Sequence, residues 1–260
     1  SYVDDSSRLF KMSGEHRITS TGAANELAKI NAATRDGNLD SAEGTLKRLS
    51  YDYLFSISQH FDPDELKLKA APIVICWNKL AKALTDAEEF EKAEEVLSKC
   101  YGLYNELLNR DELKEQDNLK EQAGYIISCH DALVRKLITA EKFEDAEKVL
   151  DTAYTRYNEL LKTPELKDRD DLKNEAGYTM SCYNALAQKL ISAEKFEDAK
   201  RVLDTAYTRY NELLEIPELK DQDDLKEQSG YIMSCYNALA QRLITAEKFE
   251  DAERVLDIAY

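Results

Sequence analysis

The chain of 260 residues contains three histidines, five cysteines and many carboxylates that could catalyse a reaction or bind a metal. The histidines His16, His60 and His130 stand in unrelated local sequences, so none has a partner at metal-site or catalytic spacing. His130 occupies the place where two later segments have Tyr183 and Tyr236, which indicates a packing position in the core. We therefore expect His130 to be structural and not a ligand.

No GxSxG, HExxH, GxGxxG or phosphate-loop GK[ST] sequence occurs in the chain. The carboxylates of Glu194, Glu197 and Asp198 fall in a short polar stretch between two apolar runs, and a solvated turn is poorly suited to general acid-base catalysis. We expect no enzymatic activity, no cofactor and no metal site.

Four cysteines, Cys76, Cys129, Cys182 and Cys235, are separated by a constant 53 residues. Residues at one recurring position point the same way from successive structural units, which favours small stacked core residues over disulfide partners or metal ligands. The absence of a CxxC pair and the odd number of cysteines agree with a reducing compartment.

Charge and hydrophobicity exclude two classes of partner. The net charge of -16 would repel a phosphate backbone, and no stripe of basic residues with interleaved aromatics occurs, so we expect no nucleic acid partner. The most apolar stretch, residues 70–77, is too short for a membrane span. Residues 1–20 lack the apolar region of a secretory signal, and we expect a cytoplasmic protein.

An internal repeat governs most of the chain. Residues 138–146, 191–199 and 244–252 are near copies of Ile-Thr-Ala-Glu-Lys-Phe-Glu-Asp-Ala, and residues 84–93 are a more diverged copy. A weaker copy lies at residues 36–42. Repetition at a fixed interval is typical of arrays in which each unit packs on its neighbours.

Each repeat contains two apolar stripes with helical spacing. Tyr183, Leu186 and Leu190 recur at intervals of three and four, which places them on one face of a first helix. After the polar break at residues 194–195, a second stripe begins at Phe196. The repeat is therefore predicted to be a hairpin of two amphipathic helices.

The order of these residues resembles the tetratricopeptide repeat, or TPR, family. In one unit the matching residues are Tyr183, Leu186, Ala187, Leu190, Ala199, Leu203 and Ala206. The same seven places recur in the units that start at Trp77, His130 and Tyr236. The resemblance implies an all-α fold, a right-handed α-solenoid of helix-turn-helix repeats whose first helices line a concave face.

The repeat of 53 residues is longer than the typical unit of about 34 in this family. The extra residues lengthen the second helix, near residues 157–161, and precede the first, near residues 171–177, so helices of about 20 residues are expected. We predict an N-terminal arm or degenerate segment at residues 1–20. Residues 21–260 are predicted to form a single superhelical array of about five hairpins. The last hairpin looks truncated at Tyr260, so we expect the array to continue.

Several residues predict details of the first helices. Asp170 or Asp171, and Asp223 or Asp224, could cap their N-termini. Pro72 is expected to occupy the first turn of its helix. The glycines Gly124, Gly177 and Gly230 recur near the helix start and predict a close helix crossing or a local kink.

Two polar columns on the first helices are the candidate peptide-binding site. The first column consists of the residue directly after the recurring aromatic of each first helix. Its members are Asn78, Asp131, Asn184 and Asn237. The second column lies four residues later and contains Lys82, Arg135, Gln188 and Gln241. Amides can pair with the backbone of an extended peptide, and the two basic residues could hold a carboxylate. The alternative is that these side chains hydrogen-bond between adjacent helices or face water.

Tyrosines of the second helix suggest an aromatic binding strip, but their spacing favours packing between repeats. They are Tyr101, Tyr104, Tyr154, Tyr157, Tyr207 and Tyr210. The leading hypothesis for function is a protein-interaction scaffold or adaptor that binds a peptide or helix in the concave groove. Two alternatives are a structural repeat array that self-associates and a regulatory module of a larger protein.

Overall fold

The computed structural model describes residues 20–58 and 63–259, and every regular element in these two stretches is a helix. The predicted arm up to residue 19, together with His16 and His60, lies outside the described residues. The chain divides into two compact units, Ser1–Cys129 and His130–Tyr260, each with its own internal packing. The prediction of a single array over residues 21–260 stays a prediction.

Two hairpins form most of the first unit. Its helices are α1 (Ser20–Arg35), α2 (Leu39–Ser58), α3 (Pro63–Asp86), α4 (Phe90–Leu108) and the short α5 (Asp117–Lys120). Helix α1 pairs with α2 and α3 pairs with α4, while α3 also packs on both helices of the hairpin before it. The indole of Trp77 is fully buried in this core, where its Nε1 donates a hydrogen bond to Ser50 Oγ at 2.9 Å.

The second unit repeats this arrangement. Helix α6 (Gln122–Thr139) contains the boundary between the units, and the elements that follow are α7 (Phe143–Leu161), α8 (Asp170–Ser192), α9 (Phe196–Leu214), a 3₁₀ helix (Pro217–Leu219), α10 (Asp223–Thr245) and α11 (Phe249–Ala259). First helix packs on first helix (α8 with α10), and each second helix packs on the next first helix (α7 with α8, α9 with α10). This packing confirms the all-α solenoid of helix-turn-helix repeats and the long helices.

A left-handed residue closes the turn of each regular hairpin. Between α8 and α9 this residue is Glu194, with φ of 59°. Two bonds end α8 in the manner of a Schellman motif: Lys195 N donates to Leu190 O at 2.9 Å, and Glu194 N donates to Ile191 O at 3.1 Å. Glu88, Glu141 and Glu247 have the same conformation in their turns, and Gly37 has it in the first hairpin. The turn geometry therefore recurs although glycine is present only once.

The predicted capping residues were wrong by one position or more. Arg169 and Gln222 are the residues that precede α8 and α10, and neither makes a side-chain capping bond. The four aspartates lie instead in the first helical turn, Asp170 and Asp171 in α8 and Asp223 and Asp224 in α10. There their negative charge interacts favourably with the positive end of the helix dipole.

The expected helix start at Pro72 was also wrong, because α3 begins at Pro63 and Pro72 lies inside it. A proline within a helix removes one backbone hydrogen bond. The neighbours Ala70, Ala71 and Ile73 are completely or almost completely buried, so burial of this apolar run offsets the lost bond.

The predicted close helix crossing is confirmed at Gly177. A Cβ atom there would lie 3.0 Å from the Cβ of Asp224 and 3.2 Å from its carbonyl carbon, so only glycine lets α8 and α10 approach this closely. At the corresponding Gly230 a Cβ would meet nothing within 4 Å.

Candidate functional site

The first polar column is largely buried between adjacent first helices. Asn78 Nδ2 donates to Gln122 Oε1 at 3.3 Å, and Asn184 Nδ2 donates to Gln228 Oε1 at 3.0 Å. All four side chains are less than a tenth exposed, whereas Asn237 is half-buried. These amide pairs are hydrogen bonds between adjacent helices, which is the alternative to peptide binding that the sequence left open.

The two amide pairs differ in how the asparagine oxygen is satisfied. Asn78 Oδ1 accepts a hydrogen bond from Cys100 Sγ at 3.3 Å. At the position that corresponds to Cys100, the later repeat has the fully buried Ala206. Among the described residues, Asn184 Oδ1 is buried without a hydrogen-bond partner.

The second member of the column, Asp131, brings carboxyl groups into the corresponding contact between adjacent first helices, which we call a joint. Its carboxyl group is 4% exposed and accepts a hydrogen bond from Thr179 Oγ1 at 3.1 Å. Glu175 stands at the place where the other two joints have glutamine. Burial raises the pKa of Asp131 to about 8, and the charge of Glu175 adds to this rise, against smaller opposite effects of Thr179 and Arg135. Burial, assisted by the charge of Asp171, raises the pKa of Glu175 to about 7.

The second polar column faces solvent. Lys82 in the first unit is exposed, as are Arg135, Gln188 and Gln241 in the second. One guanidinium nitrogen of Arg135 donates to Ser181 Oγ at 2.6 Å, so this side chain reaches across from α6 to α8. Of the residues predicted to bind a peptide, this column and the half-buried Asn237 are the ones exposed to solvent.

A row of exposed tyrosines on the first helices was missed by the sequence analysis. Tyr178 and Tyr231 in the second unit are 56% and 53% exposed, and Tyr125 in the first unit is 54% exposed. Each follows one of the recurring glycines, so the dipeptide Gly-Tyr at the repeat interval was the available signal. These tyrosines lie in the extension that lengthens the first helix.

The second-helix tyrosines behave mostly as predicted. Tyr101, Tyr104, Tyr154, Tyr157 and Tyr210 are less than a tenth exposed, which confirms packing for these five. Tyr207, on α9, is 40% exposed.

The exposed face of α8 and α10 also carries a row of cations. Lys189 and Arg242 are exposed and correspond in the repeat, and Lys136 of α6 stands at the same place one repeat earlier. Arg242 also lies 3.4 Å from Glu194 in the turn after α8, where both side chains are largely exposed. Exposed pairs of this kind contribute little to stability and leave the guanidinium accessible.

His130 takes part in packing between helices, as predicted. It is 2% exposed, and Arg156 Nη1 lies 2.6 Å from its Nε2. One repeat later, Tyr183 donates to Asp151 Oδ1 at 3.2 Å and accepts a bond from Arg209. An aromatic of the first helix is thus held by an arginine of the following second helix.

All five cysteines are free thiols. Cys182 Sγ donates to Asp131 O and Cys235 Sγ to Asn184 O, each at 3.9 Å, across neighbouring first helices. The prediction of stacked interhelical residues is thereby confirmed. Within the described stretches no cluster of metal-ligating side chains occurs. No helix there is long and apolar enough to cross a membrane.

Comparisons with known proteins give only distant likenesses. No protein-family model matches the chain, and no curated protein matches it. Among solved structures it is similar to BtubC (BKLC) from P. vanneervenii, with 16% identity over 99% of this chain and 85% of that one and a TM-score of 0.33. It is also similar to a putative kinesin light chain with nearly identical TPR-like repeats from Podosopora anserina, with 11% identity over 93% of this chain and 94% of that one and a TM-score of 0.34. At these scores the likeness supports no conclusion about this chain, whose architecture follows from its own packing.

Proposed function

We propose that this chain is a repeat scaffold without catalytic chemistry, and that it binds a segment of a partner protein on the exposed face of its first helices. The observation that carries the proposal is the pair Tyr178 and Tyr231. Both rings are more than half exposed at the same place of two consecutive first helices.

Burial of an exposed tyrosine ring on binding gives a large favourable free energy, so aromatics exposed at the same place of successive helices favour a partner on that face. Tyrosine is also among the residues that contribute most to protein interfaces. The exposed Gln188 and Gln241 lie on the same face and offer donors and acceptors for orientation. The combination is that of an interface with aromatic anchors and a polar margin.

The binding role is tested by replacing both tyrosines with alanine, Tyr178→Ala and Tyr231→Ala, in the complete chain. The immobilised protein is incubated with cell extract, and captured proteins are quantified by mass spectrometry. We expect the double variant to lose at least one partner that the unchanged chain retains, with an unchanged melting temperature.

The matched control is Tyr207→Ala, since this ring is exposed to a similar degree but lies on a second helix. The control should keep the full set of captured proteins. A double variant that captures the same proteins in the same amounts as the unchanged chain would contradict the proposed site.

A further inference from the structure

The exposed face of α8 and α10 carries two rows of side chains with different chemistry, tyrosines and cations. Lys189 follows Tyr178 by 11 residues, and Arg242 follows Tyr231 by the same number. Eleven residues are close to three turns of helix, so tyrosine and cation lie on the same side of each helix, about 16 Å apart. We call this surface the first-helix trough, with a tyrosine wall and a cationic wall.

Small side chains form the floor between the walls. They are Ser181 and Ala185 on α8 and Ser234 and Ala238 on α10, and each is at least partly exposed. Toward the cationic wall, a groove between the two helices is lined by Ile191, Ser192, Ala238, Gln241, Arg242 and Thr245. Residues of this size allow close approach of a bulky occupant.

The charge of the trough is opposite to that of the chain. The net charge of the protein is -16, yet no aspartate or glutamate occurs from residue 178 to 192 or from 231 to 245. The exposed charged groups of these two segments are Lys189 and Arg242, and Lys136 continues the row on α6. Arg242 lies 3.4 Å from Glu194 in the turn after α8, an exposed pair that leaves the guanidinium accessible to a further carboxylate. A cationic wall within an acidic protein selects an acidic occupant by charge complementarity.

The width of the trough points to the shape of this occupant. An α-helix with its side chains is about 10 to 12 Å across, which is close to the spacing of about 16 Å along the helix axis between the tyrosine wall and the cationic wall, so a single bound helix can contact both. Adjacent first helices lie about 8 to 10 Å apart, so crossing α6, α8 and α10 needs about 20 Å, or about 13 residues of helix.

We propose that the first-helix trough binds an acidic amphipathic helix of a partner protein, with its apolar edge on Tyr178 and Tyr231 and its acidic edge on Lys136, Lys189 and Arg242. This inference rests on the proposed function and specifies the chemistry of its partner. It differs from the peptide-backbone recognition predicted from the asparagine column, because those asparagines serve the joints between helices.

The test is a selection of random 16-residue peptides displayed on phage against the complete chain. The enriched peptides should have net negative charge, apolar residues at intervals of three and four, and helical circular dichroism when bound. Their affinity should fall about tenfold in the double variant Lys189→Gln, Arg242→Gln and should weaken as salt concentration rises.

The charge-matched control removes two exposed lysines outside the trough, Lys162→Gln and Lys167→Gln, and should leave the affinity unchanged. Enriched peptides that are neutral, basic or extended, but whose binding still requires Tyr178 and Tyr231, would overturn the proposal of an acidic helix. The proposed function would then remain valid. Enriched peptides that bind all trough variants equally, or no enrichment at all, would overturn both.

Discussion

Replacing Asp131 by asparagine should raise the free energy of unfolding at neutral pH. The change gives the joint between α6 and α8 the same asparagine that Asn78 and Asn184 supply in the corresponding joints. The side-chain amide introduced by Asp131→Asn could donate to Glu175 as those asparagines donate to glutamine. The geometry of the backbone need not change.

The magnitude follows from the pKa of the buried carboxyl group. In the folded protein the pKa of Asp131 is raised from 3.8 to about 8, so its folded state favours the protonated form. Its contribution to stability is therefore fully present below pH 4 and is lost as the pH rises to about 8. At 1.36 kcal/mol per pH unit, the loss at pH 7 is about 4 kcal/mol. Local rearrangement and water entry reduce such costs, so we expect Asp131→Asn to gain about 2 to 4 kcal/mol at pH 7.

The assay is urea unfolding followed by circular dichroism at pH 4, 5, 6, 7 and 8, with hydrogen exchange of α8 amides to localise the effect. The difference between Asp131→Asn and the unchanged chain should be small at pH 4 and grow with pH. The reverse substitution Asn184→Asp is the matched control and should lower stability more at pH 7 than at pH 4. An Asp131→Asn variant that is no more stable at pH 7, or whose advantage does not depend on pH, would refute the reasoning.

Three further substitutions test single features of the fold, each by thermal and urea unfolding. Glu141→Gly should raise the free energy of unfolding by about 0.5 kcal/mol. Glu141 has a left-handed backbone with φ of 58°, and relief of the strain that a side chain causes there exceeds the entropy that glycine adds to the unfolded chain. An unchanged free energy of unfolding would count against the turn geometry. Gly177→Ala should lower stability by about 1 to 3 kcal/mol, since its Cβ would lie 3.0 Å from the neighbouring helix, while Gly230→Ala should not; equal effects of the two changes would be inconsistent with the close crossing. Ala206→Ser should raise the free energy of unfolding by about 1 kcal/mol. The serine hydroxyl would give Asn184 Oδ1 the hydrogen-bond donor that it lacks among the described residues. A lower free energy of unfolding would show that the site cannot admit a hydroxyl.

The repeat, the two helices of each hairpin and the core could be predicted from the sequence because helical periodicity and recurring residues are local patterns. Tyr183, Leu186 and Leu190 are buried as their spacing predicted. The start of α3 could not be predicted, since local preference places Pro72 in a first turn, whereas burial of its neighbours keeps the helix continuous. The predicted capping residues were wrong for a related reason, because aspartate is favoured both at the N-cap and in the first turn of a helix.

The candidate site could likewise be predicted only in part. Its two polar columns were identified from the sequence, but only packing decided that Asn78, Asp131 and Asn184 are buried in joints while the second column faces solvent. The exposed tyrosines were visible as a repeated dipeptide, yet a tyrosine at helical spacing fits a core and a surface equally well.

The sequence by itself determined that this protein is an array of helical hairpins, because the interval of the repeat and the period of its apolar residues are properties of the chain alone. Tertiary structure decided which side of each first helix meets its neighbour and which side stays exposed to solvent. The physical reason is that exposure depends on how closely adjacent helices approach, and at Gly177 that approach is set by a contact with Asp224, 47 residues away in the sequence.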